Sequence, residues 1–335
     1  SYKPFVWPAR YPRKVAMYDG LLAPQLVYDL DTHDDLSWKP TDTRFREGDL
    51  LERESSMGRS NFMLQFMLDT SLSDAEKFPL KFADLIVTPI NRENAPENII
   101  WCSDPKNIIK DLPAVGLPAD YFYSPMQFQG EWRKYSETIC SVDPSGRGTD
   151  ETVACYLSQL NGFIYLHEIK ASREGYTDET LLNILKGCRK YGATTLLIES
   201  NFGDGIVAEL FKKHCQSTQT RLTIEETRAN VRKEDRIIDA LEPVLNQHRL
   251  VVDPKVITWD YNSNVDVAPE HRLQYMLFYQ MSRMCREKGA VKHDDRIDAL
   301  AQGVKYYTDA FALNANREIA QRKLDEWNDT LEQWI

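Results

Sequence analysis

The sequence predicts an α/β fold: a mixed sheet begun by three antiparallel strands, continued by alternating helices and strands, and flanked by helices. Two observations carry this. Three β-rich runs, Thr138 to Asp143, Thr152 to Leu160 and Phe163 to Ile169, follow one another, and Asn161-Gly162 joins the last two as a short hairpin signal. Beyond them, helical periods alternate with short runs of apolar and β-branched residues, the pattern of strands buried on both faces.

In chain order, Val15 to about Lys39 is mixed and Asp-rich, and Thr41 to Phe45 reads as loop. Leu50 to Leu68 carries Leu51, Met57, Phe62, Leu64, Phe66 and Met67 at helical intervals, and Leu80 to Val87 alternates like a strand. Pro89 to Gln129 has no sustained period and reads as linker and surface loops. After the three strands, Thr177 caps a helix that runs to Tyr191, with Asp178 and Glu179 in its first turn and Gly192 past its end. Thr194 to Ile198 is a buried strand ending at Glu199. A helix from Gly205 to His214, a weak strand at Leu222 to Ile224, and helices at Glu234 to Leu245, His271 to Arg286 and Asp294 to Thr308 complete the succession. This is the element order of a ribonuclease H-like mixed sheet.

Composition bounds the function. At 335 residues the chain has material for about two domains. Its six cysteines contain no C-x-x-C pair, so neither a zinc site nor a disulfide framework is signalled. No run approaches the ~20 apolar residues of a membrane span, which predicts a cytosolic protein with no membrane partner. The formal net charge of -10 argues against a general nucleic-acid-coating surface, so any DNA contact is local. No G-x-x-x-x-G-K-[ST] occurs, so ATP hydrolysis is not expected of this chain.

The chemistry concentrates in acids. Asp143 ends the first antiparallel strand, before the breakers Pro144, Gly146 and Gly148; alone it also fits ordinary turn chemistry. Glu199 ends the fourth strand, which the topology sets beside the first. His293-Asp294-Asp295-Arg296-Ile297-Asp298 opens the last helix, where Asp298 shares a face with both Asp294 and Asp295. Carboxylates gathered in this way repel unless a cation lies between them. Mg²⁺ or Mn²⁺, with oxygen ligands, suits such a set, and two ions about 3.5–4 Å apart can activate water and stabilise the leaving oxygen of a phosphodiester. Asp143, Glu199, Asp294, Asp295 and Asp298 are therefore the candidate metal ligands. His293 reads as a supporting or packing residue.

Several motifs carry a resemblance. S-V-D-P-S-G-R-G-T-D-E-T, I-E-S-N-F-G-D-G, K-E-D-R-I with L-E-P-V-L-N-Q-H-R-L, and K-H-D-D-R-I-D-A-L are similar to the large terminase subunit of T7-like tailed phages. W-P-A-R-Y-P, L-Q-F-M-L-D-T-S-L-S-D-A-E-K-F-P-L and N-I-I-K-D-L-P match the same family upstream, and the resemblance fades after about Thr308. It implies a DNA-packaging protein with an amino-terminal ATPase and a carboxy-terminal, metal-dependent nuclease. The chain lacks the ATPase's phosphate-binding loop and acidic motif. Residues 1–130 would then be the end of the ATPase domain and the linker, 131–310 the nuclease and 311–335 a tail, in a chain that reads as part of a longer protein.

The resemblance carries the catalytic acids over to Asp143, Glu199 and, of the pair Asp294 and Asp295, to Asp295, which Asp298 one turn on can support. Arg147, Lys233, Arg236, Lys292 and Arg296 are candidates to meet phosphates. The implied substrate is concatemeric double-stranded DNA, the implied partners are the portal or procapsid and the small terminase subunit, and the implied location is the host cytoplasm. A resolvase-type nuclease on branched DNA shares the acidic sheet centre, and a non-catalytic DNA or portal docking module is the alternative of another class. In the tail, Leu313, Ile319, Leu324, Trp327, Leu331 and Trp334 recur at roughly helical spacing, which predicts an amphipathic helix that packs on the nuclease or docks on the portal.

Overall fold

The structure is a computed structural model that describes residues 5–13, 15–18, 20–33, 35–57, 59–69, 77–117, 120–145, 148–199, 205–228 and 231–312. The chain divides into two compact units, Ser1–Pro79 and Leu80–Ile335. In the first unit, the stretch predicted as one helix from Leu50 to Leu68 forms two, α2 (Glu47–Met57) and α3 (Arg59–Gln65), after α1 (Pro24–Thr32). Leu50, Phe62 and Met67 make one of its buried clusters, and Tyr18, Leu22, Ala23 and Leu26 another. The tail predicted as a helix falls mostly outside the described residues, which end at 312.

Among the described residues the second unit is built on a nine-stranded sheet. The predicted antiparallel trio is β6 (Glu137–Asp143), β7 (Thr152–Leu160) and β8 (Phe163–Ser172), and the β7–β8 turn has Asn161 at φ 50° and Gly162 at φ 82°. Positive φ at both central residues matches the right-handed twist of the strands they join. Next, α4 (Asp178–Tyr191) leads to β9 (Thr195–Glu199), α5 (Ile206–Ser217) to β10 (Thr223–Thr227), and α6 (Lys233–Asn246) to β11 (Leu250–Val252). As predicted, the Thr177 hydroxyl accepts the Thr180 N–H at 3.4 Å and Gly192 closes α4 at φ 67°. The sheet order is β10-β9-β6-β7-β8-β11-β1-β4-β3, where β1 is Ile86–Val87, β3 Ile108–Ile109 and β4 Phe122–Tyr123, with β9 parallel to both β6 and β10.

Residues 80–130 correct two expectations. The strand predicted from Leu80 to Val87 is a 3-10 turn, Phe82–Asp84, followed by the two-residue β1 (Ile86–Val87). The stretch predicted as linker and loops contributes β3 (Ile108–Ile109) and β4 (Phe122–Tyr123) to the main sheet. It also pairs β2 (Asn94–Ile100) with β5 (Gln127–Lys134) in a separate ribbon. Leu80, Phe82, Leu85, Val87 and Phe122 sit in the same buried cluster as residues of β6 to β9 and β11, within the compact unit that begins at Leu80.

A third correction concerns the helix predicted from His271 to Arg286. Met276 is extended, and it separates a 3-10 turn, Arg272–Tyr275, from α8 (Leu277–Arg283). The buried Asp260 carboxylate accepts the N–H groups of Leu277 and Phe278 at 2.8 and 3.2 Å, capping α8 from a residue remote in sequence. Asp260 lies on α7 (Pro254–Asn262), a helix the periodicity does not reveal, and whose own cap is the Asp253 side chain accepting from Lys255 N–H. The last helix, α9, spans residues 295–312. Among the described residues no helix is long and apolar enough to cross a membrane.

The strand period of two sorts the cores. Cys140, Val142, Leu196 and Ile198 point into a cluster with α4 and α5, while Ile139 and Leu197 point the other way, to α6 and α9. Asp143 and Glu199 continue the second series, so both carboxylates leave the sheet on the α6 and α9 side. Gly303 lets α9 come close: a Cβ there would collide with the Leu157 side chain and stand 3.1 Å from the Ser141 Cβ on β6. Gly303→Ala should destabilise the protein by about 1–3 kcal/mol through overpacking, despite alanine's helix preference of roughly 1 kcal/mol. Urea unfolding checks this, and a midpoint at or above that of the parent would contradict the close-approach account.

Candidate functional site

Asp143 is the last residue of β6 and Glu199 the last of β9. The neighbouring pair Val142 and Ile198 is in register, so the two carboxylates stand side by side on strands about 4.8 Å apart. Helix α9 begins at the same end of the sheet and brings Asp295 and Asp298. Burial pushes the Asp143 carboxyl well above its ordinary range, and the negative charges of Asp298, Asp295 and Glu199 push it further, against Lys233. Asp298 is raised for the same first reason, with Lys233 and Arg236 opposing.

Two cations of α6 hold the cluster together. Arg236 donates to Glu199 at 2.8 Å and to both oxygens of Asp298 at 2.7 Å. Lys233 lies 2.7 Å from Asp294 and 3.0 Å from Asp298. Burial alone would lower the Lys233 ammonium; Asp298, Asp143 and Asp294 outweigh it and hold its pKa above the usual lysine value. Residues three apart on a helix share a face, which is why Lys233 and Arg236 reach the same carboxylate.

Asp295 is held separately. Its carboxylate accepts the Glu151 N–H at 3.0 Å, so the support assigned to Asp298 comes instead from the backbone entering β7. Burial raises its pKa to about 6; the Glu151 N–H and Lys233 lower it, and Asp294 and Asp150 add to the rise. Glu151 is itself fixed by Arg296, whose guanidinium donates to it at 2.8 and 3.0 Å and to Asp260 at 2.7 Å.

The structure therefore brings Asp143, Glu199, Asp295, Asp298, Lys233 and Arg236 together, with Asp294 attached through Lys233. Lys292 is exposed beside them, and Arg147 lies outside the described residues. Arg296 corrects an expectation: it is 1% exposed and its donors are spent on Glu151, Asp260, Ser263 and Asn264, so it is a core clamp rather than a phosphate contact. Glu151 and Asp260 escape sequence reasoning as partners of the site. The Asp-Pro start of α7 and the acidic run after Gly148 are the signals that were available.

Comparison with known proteins bears on this geometry. Residues 142–250 match the family model for the ribonuclease H-like domain of the bacteriophage T7 terminase. Over 338 aligned residues the chain is 42% identical to the terminase large subunit of Enterobacteria phage T3, covering 97% of this chain and 57% of that protein. The chain belongs to the large terminase subunits of T7-like phages. It spans a little over half the length of the curated relative it matches. Among solved structures, the manganese-soaked, inhibitor-bound human cytomegalovirus terminase nuclease domain is 13% identical, covering 50% of this chain and 82% of that one, with a TM-score of 0.36. The large terminase nuclease of thermophilic phage G20c is 13% identical, covering 67% of this chain and 96% of that one, with a TM-score of 0.35.

The raised Asp295 pKa has a definite sign in stability. Its folded value of about 6 exceeds the ordinary 3.8, so between them the folded state binds more protons than the unfolded one. Stability without metal then falls as pH rises through roughly 4 to 6, by on the order of 2–3 kcal/mol from this group, and no further above that window. Asp295→Asn keeps an acceptor for the Glu151 N–H and removes the titration. Thermal unfolding with EDTA should show the variant gaining on the parent across that window; parallel pH profiles would contradict the assignment.

Proposed function

We propose that this chain is a divalent-metal-dependent endodeoxyribonuclease that cuts concatemeric double-stranded DNA at the start and finish of phage genome packaging. The single observation that carries the reading is the convergence of Asp143, Glu199, Asp295 and Asp298 at one end of the sheet, where burial and neighbouring negative charge raise the pKa of Asp143, Asp295 and Asp298. Membership of the terminase large subunits supports the same reading.

The donor set fits a hard cation. It consists of carboxylate oxygens from separate elements, and the positive charge it demands is here met by two side chains of α6. Asp143, Glu199 and Asp295 would hold Mg²⁺ or Mn²⁺, as one ion or two, while Asp294 and Asp298 keep Lys233 and Arg236 in place. Such ions, when bound, supply a hydroxide at neutral pH and charge for the leaving oxygen. The chain's own part is to fix three carboxylates on two strand ends and a helix start, which keeps them rigid on one side and open on the other.

Phosphate binding falls to the cations around the acids. Lys233 and Arg236 neutralise the cluster in the absence of substrate and are within one turn of each other, so a phosphodiester entering the site meets both. The exposed Lys292 adds to these cations. The portal or procapsid and the small terminase subunit are the partners in packaging, and the host cytoplasm is where that assembly works.

Asp143→Asn preserves the shape of the strand end and removes a ligand charge. It should fold, and its cleavage of plasmid DNA with Mg²⁺ or Mn²⁺ should drop by at least about 100-fold, the upper range even for residues that merely support a ligand. EDTA should abolish cleavage by the parent. Gel assays check both, and undiminished cutting by a highly purified Asp143→Asn protein would sink the proposal.

A further inference from the structure

We infer that the groove between α6, α9 and the end of β10 is the seat of this chain's own segment 324–335, an acidic and aromatic stretch outside the described residues. The groove encloses about 690 Å³; Val231, Ala240 and Ala301 give it apolar walls, and Arg228, Arg236 and Lys305 give it cations. Its acids are answered within the fold, Asp239 by Arg286 at 2.8 Å and Asp309 by Lys305 at 2.9 Å. That leaves Arg228 without an ion pair among the described residues, while Val231 exposes apolar surface beside it.

Two of the lining side chains point to a polar occupant. Arg236 Nε and Gln302 Oε1 are buried and have no hydrogen-bond partner among the described residues. The other nitrogens of Arg236 bond Glu199 and Asp298, and the Gln302 amide donates to Thr227 Oγ1 at 2.9 Å. Buried donors and acceptors are ordinarily paired, so the groove asks for one acceptor and one donor. Residues 324–335, L-D-E-W-N-D-T-L-E-Q-W-I, offer both. Asp325, Glu326, Asp329 and Glu332 are acceptors, and the stretch has no Lys or Arg. Trp327 and Trp334 each bring an indole N–H, which only donates, on a ring that fills apolar space.

Position decides between this segment and a separate partner. Helix α9 is described to residue 312 and lines the groove as far as Ala310, so the chain that follows leaves from the groove's own rim. Even wound as tightly as a helix, at about 1.5 Å per residue, 324–335 covers about 18 Å, against about 14 Å of α9 from Ala301 to Ala310. Residues 313–323 remain to make the turn. A segment on so short a tether acts at an effective concentration of roughly millimolar, which a separate acidic partner has to match. Seated there, its acids abut Arg236, the cation that the proposed nuclease reading gives to phosphate, and this consequence alone rests on that reading.

The test reads hydrogen exchange and cross-linking on the whole 335-residue chain, not cleavage, so a failure of the nuclease reading leaves it intact. Exchange followed by mass spectrometry should find the amides of 324–335 at least about tenfold slower in the parent than in a chain carrying Arg228→Glu and Lys305→Glu. Both substitutions are on the surface, so the fold tolerates them. Carbodiimide coupling of an equal mixture of ¹⁵N-labelled and unlabelled chain should join Lys305 to carboxylates of that segment within one copy. Unprotected amides in the parent, or no such cross-link, would overturn the inference and leave the segment for another partner. Protection that survives both charge reversals would place the segment elsewhere, and cross-links that pair labelled with unlabelled chain would make the occupant a second copy; either result also overturns it.

Discussion

Four carboxylates forced into one buried corner are the constraint on which the rest of the structure depends. Asp143 cannot ionise beside Asp298, Asp295 and Glu199 without positive charge close by, and burial removes the water that would otherwise screen them. Helix α6 answers with Lys233 and Arg236. Such an arrangement is poor value for stability alone, because buried ion clusters repay their desolvation only with good geometry. On the proposed reading, its worth lies in a cation site that is assembled before the cation arrives.

The fold makes that corner in layers. The period of two along β6 and β9 turns Asp143 and Glu199 to the α6 and α9 face, and parallel pairing of the two strands sets them level. Gly303 brings α9 against β6 and β7, and the buried Arg296 clamp ties its first turn to Glu151 and to α7. Arg296 directly follows Asp295 and stands two residues before Asp298, yet it serves the framework. Removing one partner of so buried a pair leaves an uncompensated charge, a cost of roughly 3–5 kcal/mol.

Legibility in the sequence followed the range of the interactions. The β7–β8 hairpin and α4 were readable because their signals are local: Asn161-Gly162 at the turn, Thr177 and Gly192 at the caps. The acids were readable because strand ends and a helix start are recognisable punctuation. What failed was decided at long range. The break at Met276 comes from Asp260, and β11 has only three residues, too few for any period. The strands between residues 80 and 130 are two residues long in three cases and gain their place from partners far along the chain. The fate of Arg296 was hidden for the same reason, since Glu151 lies 145 positions away.

Lys233 and Arg236 are the cations of the metal-free state, and on the proposed reading Asp143, Glu199 and Asp295 are the ligands of the loaded one. The most direct measurement is a crystal of this chain soaked in MnCl₂ and recorded at the manganese absorption edge. The account predicts an anomalous peak touching Asp143 together with Glu199 or Asp295. A crystal with those three carboxylates ordered, Lys233 and Arg236 still paired as in the metal-free protein, and no anomalous density at Asp143 would contradict it.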